Sequence, residues 1–271
     1  MLKDLIFKLI SIGASPGTAE PVILMYHSVG HNRAQFTITP EAFEMQMAFL
    51  KSSGRTCLKL SEFAERLRSG TLPKNAAAVT FDDGYADNHE TAFPILKKHS
   101  IPATIFILTG SIGHDFTVNN RFEGQPGGPI DLRIMDEAQI KELSESDLVE
   151  LMPHGHSHKI LRDMSREDAM ADIRGSKCII EGIVGRPSTC FAYPYGKVSD
   201  ETPAIVKELG FACAVVVKEG FVSHGSDSRQ IDRYLLPRMN IGRSTSLAEF
   251  KCKIAKPRAY LKIKHAFHRS H

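Results

Sequence analysis

The sequence predicts an α/β protein, a mainly parallel sheet with crossover helices that closes toward a (β/α) barrel. Three observations lead there. Short apolar runs at 22–26, 76–81, 103–108, 190–193, 212–217 and 235–241 have the length and the bounding turn residues of buried strands. Helical stretches lie between them, and strands alternating with helices imply parallel pairing. Polar residues gather just after the strands: His27, Asp82-Asp83, Thr109, His154 to His158, Tyr193 to Gly196 and Arg238. In a (β/α) barrel such positions share one mouth, where active sites sit.

Taken in order, the run 22–26 exits at His27, with Gly30 to turn the chain. Residues 40–50 start with a proline and place Phe43, Met47 and Leu50 on one side, an amphipathic helix. A short strand is expected at 58–60, with Ser61 capping a helix over 62–68 and Glu65 inside it. The run 76–81 ends in two carboxylates and Gly84, and a helix over 87–100 accommodates Pro94. The strand 103–108 ends at Thr109-Gly110. Residues 111–134, rich in Gly and Pro, are too long for a simple connector and read as a lid or an insert. Helices are expected over 136–143, 166–182 and 204–209, and Ser246 begins the last one.

The chain has 271 residues with 42% hydrophobic content, enough for one sizeable core. A formal charge of +3 is too small to argue for nucleic acid. Five scattered cysteines form no C-x-x-C pair; Cys178, Cys190 and Cys213 sit among apolar residues and read as buried thiols, which suits a reducing compartment. Leu2, Leu5, Ile6, Leu9 and Ile10 share a helical face, but Asp4 and Lys8 interrupt the stretch. It is therefore expected to be neither a signal peptide nor a membrane span. An interfacial amphipathic helix and a surface helix packed on the domain stay open. Residues 251–271 contain seven Lys or Arg and no Asp or Glu, so the remainder carries a charge near −4. This end reads as a solvated basic tail, with attraction to an anionic membrane as the sharper alternative. The expected division is 1–20 helix and linker, 21–250 domain, 251–271 tail. The expected location is the cytoplasm, with peripheral contact at the inner membrane face.

Asp82 and Asp83 stand side by side at a strand end, where two like charges cannot both ionise cheaply without a cation. One carboxylate binding a metal while the other stays free as a base resolves this. A plain Asp-Asp-Gly turn is the alternative for that segment alone. His154 and His158, four apart, can share a metal on a helix or tight loop. With Asp83 they supply two nitrogens and one oxygen and leave room for water. That open set suits zinc, with nickel or cobalt also able to fit.

At this point the sequence resembles the polysaccharide deacetylases, the carbohydrate esterases with the nodulation-factor deacetylase (NodB) homology domain. Thr80-Phe81-Asp82-Asp83-Gly84 matches the family's first motif, His154-x-x-x-His158 the second, and Tyr193-Pro194-Tyr195-Gly196 the end of the third. The likeness runs from about Pro21 to Phe250. It implies a distorted (β/α)7 barrel and a metal-dependent hydrolase that removes N-acetyl groups from an N-acetylated saccharide. It also implies roles: Asp82 as general base, Asp83, His154 and His158 as metal ligands, and the backbone N–H of Tyr195 as oxyanion donor. The metal would polarise the amide and acidify a bound water, while Tyr193 and Pro194 would shape the sugar pocket.

Two departures from the family pattern stand out. Its third motif often has an Arg before the aromatic-Pro pair, to orient the base; here that residue is Ala192, and Arg238 is the candidate substitute, a structural salt bridge being the alternative. The family's late Leu-x-x-His motif, which carries the general acid, has no match near the C-terminus. Leu24-Met25-Tyr26-His27 has the pattern and is similar to an early strand end of the poly-N-acetylglucosamine deacetylase branch, where the motifs are circularly permuted. His27 is therefore the expected acid, and His156 its competitor. Two other functions are carried alongside: removal of a formyl or acetyl group from a lipid-linked amino sugar, and carbohydrate binding by a catalytically impaired homologue.

Overall fold

Alternation along β3 (Ala76–Phe81) sets the architecture. In the computed structural model, which describes residues 6–7, 20–119, 128–222 and 231–268, successive side chains of this strand go to two different cores. Ala76 and Ala78 join Ile23, Phe106, Met152, Cys190, Ala192, Cys213, Val215 and Leu236 in one cluster, which fills the inside of the curved sheet. Ala77, Val79 and Phe81 join Val22, Leu24, Tyr26 and the helix residues Phe43, Met47 and Leu50 in the other. Period-two alternation is what divides a strand between an inner and an outer layer.

The strand order is β7-β4-β3-β1-β10-β9-β8, and every pair along it is parallel. The path comprises β1 (Val22–Tyr26), β3, β4 (Ala103–Ile107), β7 (Val149–Pro153), β8 (Cys190–Ala192), β9 (Cys213–Glu219) and β10 (Leu236–Asn240). The short β2 (Thr56–Leu58) pairs with the first half of β3, and β4 pairs with the second half. Seven strands thus nearly close a barrel, with β7 and β8 as the two ends of the path. The distorted (β/α)7 barrel expected from the sequence is the fold observed.

The helices are α1 (Pro40–Ser52), α2 (Leu60–Ser69), α3 (Phe93–His99), α4 (Glu137–Ser144), α5 (Arg166–Val184), α6 (Thr202–Glu208), α7 (Leu247–Ala255) and α8 (Pro257–His268). Local chemistry places several ends. Thr39 caps α1, which has proline in its first turn, and Asp136 with Gln139 makes a reciprocal capping box on α4. Ser61 does not cap α2 as expected. The cap position is Lys59, and Ser61 instead binds Glu150 through both its N–H and its hydroxyl. The expected continuous helix over 87–100 opens with a widened turn at Asn88–Ala92 before α3, which carries Pro94 in its first turn.

The insert at 111–134 contains an antiparallel hairpin, β5 (Asp115–Asn119) with β6 (Pro129–Arg133); residues 120–127 lie outside the described part. The amphipathic segment 1–10 is likewise outside it except for Ile6 and Phe7, and Phe7 is buried against Tyr260. The basic end differs from a solvated tail. Through His268 it is helical, and Cys252, Ile254 and Tyr260 belong to the outer core. Several of its charges are taken up internally: buried Lys253 pairs with Glu219 and Glu249, Arg258 with Glu20, and Lys264 with Glu219. Cys190 and Cys213 are buried as expected, but Cys178 is exposed on α5. Among the described residues no helix is long and apolar enough to cross a membrane.

Candidate metal centre and active site

The parity that puts Ala76 and Ala78 inside the barrel puts Thr80 and Asp82 inside too, just above them. Arg238, two residues after the inward Leu236, meets them there. Its two terminal nitrogens donate to the two oxygens of Asp82 at 2.7 and 2.6 Å, and one also reaches the Thr80 hydroxyl at 3.1 Å. Nε donates to the Val216 carbonyl at 3.1 Å. Arg238 is fully buried. Ala192 points into the same interior from β8, and the guanidinium on Asp82 comes from β10 instead.

Past Asp82 the chain leaves the strand. Asp83 adopts φ 71° and Gly84 φ 75°, and a side chain at Gly84 would press against Ile107 at 2.7 Å. This turn aims the Asp83 carboxylate the other way, at the loop after β7. There Asp83 Oδ1 lies 3.4 Å from His154 Nε2 and 3.1 Å from His158 Nε2. The three donor atoms fall within 4.8 Å of one another. Asp83 Oδ2 is engaged separately: the buried Tyr85 hydroxyl donates to it at 2.7 Å.

The hydrogen bonding fits a cation at this place. His154 Nδ1 lies 2.8 Å from the Ala192 carbonyl. A carbonyl only accepts, so Nδ1 carries a proton, and in the neutral ring Nε2 presents a lone pair. That lone pair faces the carboxylate oxygen of Asp83, and two such atoms at this distance need positive charge between them. Around the site Asp82 and Asp83 bring two negative charges and Arg238 one positive. A divalent cation on two nitrogens and one oxygen suits both the charge and the donor set.

The titration tendencies agree. Burial pushes both carboxyl groups up, but Arg238, His154 and His27 hold Asp82 below its ordinary value, and His158, His154 and His27 hold Asp83 well below. For His154, burial works against the proton, yet Asp83 and Asp82 raise its pKa. The pair of carboxylates makes the site hungry for positive charge.

His27 follows β1 at the same mouth. Burial lowers its pKa, against the pull of Asp83 and Asp82. Its carbonyl accepts from the Asn88 amide at 2.7 Å, its Nδ1 is buried without a partner, and its ring lies 5.1 Å from Phe36. Tyr195 is half-exposed with its ring 4.6 Å from that of His158, and Phe116 of the hairpin approaches His158 edge-on at 5.1 Å. Tyr193 is not part of this mouth. With Ala192 inward, Tyr193 must point outward, and it is buried with Phe191, Ile205, Val206 and Phe211 beneath the helices. Pro194 is also buried, set against Gly155 of the histidine loop. His156 is exposed and its Nδ1 lies 3.1 Å from the Thr109 hydroxyl.

Three of the four non-glycine residues with positive φ among the described ones are Asp83, His158 and Tyr195. Each left-handed placement costs roughly 1–2 kcal/mol, and such strain gathers at functional sites. Two residues escaped the sequence reading. Tyr85 follows the recognised motif directly. Asp172 lies on the buried stripe of α5 with Ala169, Ile173, Ser176 and Ile180; a carboxylate on an apolar stripe was the available signal.

The fold and the site define a barrel hydrolase with an Asp-His-His centre at its mouth. Comparison with known proteins agrees. The family model for polysaccharide deacetylase matches residues 69–214, more than half of the chain. The chain is 28% identical over 209 residues to the poly-β-1,6-N-acetyl-D-glucosamine N-deacetylase of Staphylococcus epidermidis, covering 74% of this chain and 68% of that protein. Its fold is similar to the Streptococcus pyogenes deacetylase PplD solved with acetate (TM-score 0.72, 24% identity, 89% and 100% covered) and to IcaB from Ammonifex degensii (TM-score 0.69, 22% identity, 86% and 97% covered). The chain belongs to the polysaccharide deacetylase family, hydrolases of carbon–nitrogen amide bonds outside peptides.

Proposed function

We propose that the chain removes N-acetyl groups from an N-acetylated glucosamine saccharide, with Asp83, His154 and His158 holding one divalent ion. The observation that carries this is the division of labour between adjacent carboxylates. Asp82 turns inward onto Arg238, while Asp83 turns outward onto two imidazoles. When bound, a divalent cation supplies Lewis-acid polarisation of the amide carbonyl and lowers the pKa of water beside it. The two-nitrogen, one-oxygen set favours zinc, with nickel or cobalt as substitutes.

The chain's own groups do the rest. Asp82, fixed by Arg238, accepts the proton of the attacking water. The backbone N–H of Tyr195 donates to the carbonyl oxygen as it gains charge. His27 gives a proton to the departing amine nitrogen, so that acetate and a free amine leave. The place of His27 at the mouth supports that role; burial disfavours its proton, and the neighbouring Asp83 and Asp82 carboxylates partly offset that. His27→Ala is expected to lower kcat by about 10²- to 10⁴-fold with unchanged metal content; unchanged turnover removes the assignment.

The staphylococcal relative makes β-1,6-linked N-acetylglucosamine oligomers the first substrates to test. Acetate release with and without chelator, followed by return of Zn²⁺, is the direct assay. Release that ignores chelation ends the proposal. A formylated or acetylated lipid-linked amino sugar is the second substrate class. A cytoplasmic location with peripheral membrane attachment stays a proposal as well. The charge that α8 spends on internal pairs weakens the attachment part, and co-sedimentation with anionic vesicles tests it.

A further inference from the structure

The loop that carries both histidines is short and strained. Gly155 has φ 80° and His158 φ 53°. Three neighbouring elements restrain it. From the end of β4, Thr109 N–H donates to the Gly155 carbonyl at 3.2 Å and Gly110 N–H to that of His156 at 3.0 Å. From β8, the Ala192 carbonyl accepts from His154. From α5, Asp172 spends both carboxylate oxygens on the loop: Oδ1 accepts from the N–H of His156 at 2.8 Å and Oδ2 from the N–H of Ser157 at 2.9 Å. Asp172 is 9% exposed, and no ion pair with it is found among the described residues. A nearly buried carboxylate is costly unless its oxygens are used, and here the two backbone donors between the histidines use them. Asp172 also closes on the loop sterically. A side chain at Gly155 would come within 2.9 Å of Oδ1.

We propose that Asp172 is a positioning residue of the metal centre, holding the backbone between His154 and His158 so that both Nε2 atoms face Asp83. It touches neither ion nor substrate, and acts only through the two amides it binds. The inference rests on the metal reading above. Replacement by Asn keeps the shape but turns one acceptor into a donor that faces an N–H. Replacement by Glu keeps both acceptors on a longer arm. Partners that orient metal ligands typically change affinity by roughly 10- to 100-fold when removed.

The test measures Zn²⁺ affinity by competition with a chromophoric chelator, alongside the thermal midpoint of the chelator-stripped chain. Asp172→Asn is expected to bind Zn²⁺ roughly 10- to 100-fold more weakly, with Asp172→Glu recovering part of the loss. Ile173→Val, a packing loss on the same helix, is expected to lower the midpoint without weakening Zn²⁺. Gly155→Ala presses on the same contact from the loop side and is expected to weaken Zn²⁺ too, which keeps the test usable if Asp172→Asn fails to fold. Wild-type affinity in Asp172→Asn overturns the proposal, as does an equal loss in Ile173→Val at a matched midpoint. A folded wild-type chain that binds no Zn²⁺ overturns the metal reading itself.

Discussion

The two halves of the site are held by different means. The carboxylate half grows from the laddered middle of the sheet. β3 pairs with β1, and Asp82 at its end is locked by a single buried partner, Arg238. The imidazole half hangs on a loop beside the two unpaired ends of the strand path, and three elements share its restraint. One half concentrates its support in an ion pair and the other distributes it over ordinary hydrogen bonds. The first should therefore fail abruptly, and the second by degrees.

Asp83→Ala removes the residue that joins the halves and is expected to have the largest effect. Bound metal should fall from one per chain toward none, and turnover by about 10³-fold or more, the scale of several kcal/mol of lost charge stabilisation. Metal analysis of the purified variant checks the first and acetate release the second. Arg238→Met attacks the carboxylate half alone. It leaves Asp82 buried without its cation, a loss of about 3–5 kcal/mol, measured by denaturant unfolding.

The same variant has a pH signature. In the wild type the Asp82 pKa lies below its ordinary value. Its contribution to stability is therefore present above the unfolded carboxylate pKa and lost as pH falls through the depressed one. Without Arg238 burial loses its main opponent, the pKa rises, and the acid limb of the rate profile should move to higher pH. An unmoved limb would separate Arg238 from the base.

Smaller effects sharpen the contrast. Tyr85→Phe removes the donor to Asp83 Oδ2 and should weaken Zn²⁺ by about tenfold, read by chelator competition, with little loss of fold stability. Thr109→Val removes a hydroxyl that touches Gly155 and His156. It should cost only about 0.5–1.5 kcal/mol by thermal unfolding and change metal affinity least, because the backbone bonds from β4, the Ala192 carbonyl and Asp172 all still hold the loop. A Thr109 effect as large as that of Arg238 would erase the distinction between the halves.

Much of this site could be read without coordinates because its residues sit at strand ends, where sequence spacing and spatial grouping coincide. Asp82, Asp83, His154 and His158 are of that kind, and Arg238 could be guessed from the same rule. Tyr193 shows the limit. A motif match drew it toward the mouth, while the parity fixed by Ala192 sends it under the helices. Asp172 was missed because its meaning depends on a loop that only the packed α5 brings near. The basic end looked like a solvated tail because composition does not reveal that Glu219, Glu249 and Glu20 lie within reach of its charges.

The seam between β7 and β8 decides where the wall can give. Where neighbouring strands are laced along their length, the wall cannot widen without breaking many bonds at once. At the seam a side chain, His154, ties one lip to the other through the Ala192 carbonyl. Dilation along that line would be the easiest deformation of the cylinder, and cation capture, by steadying His154, would draw the lips together. The ion would then serve as a clasp on the wall as well as a reagent, and amide protons of Cys190 and Phe191 should exchange faster once it is stripped away.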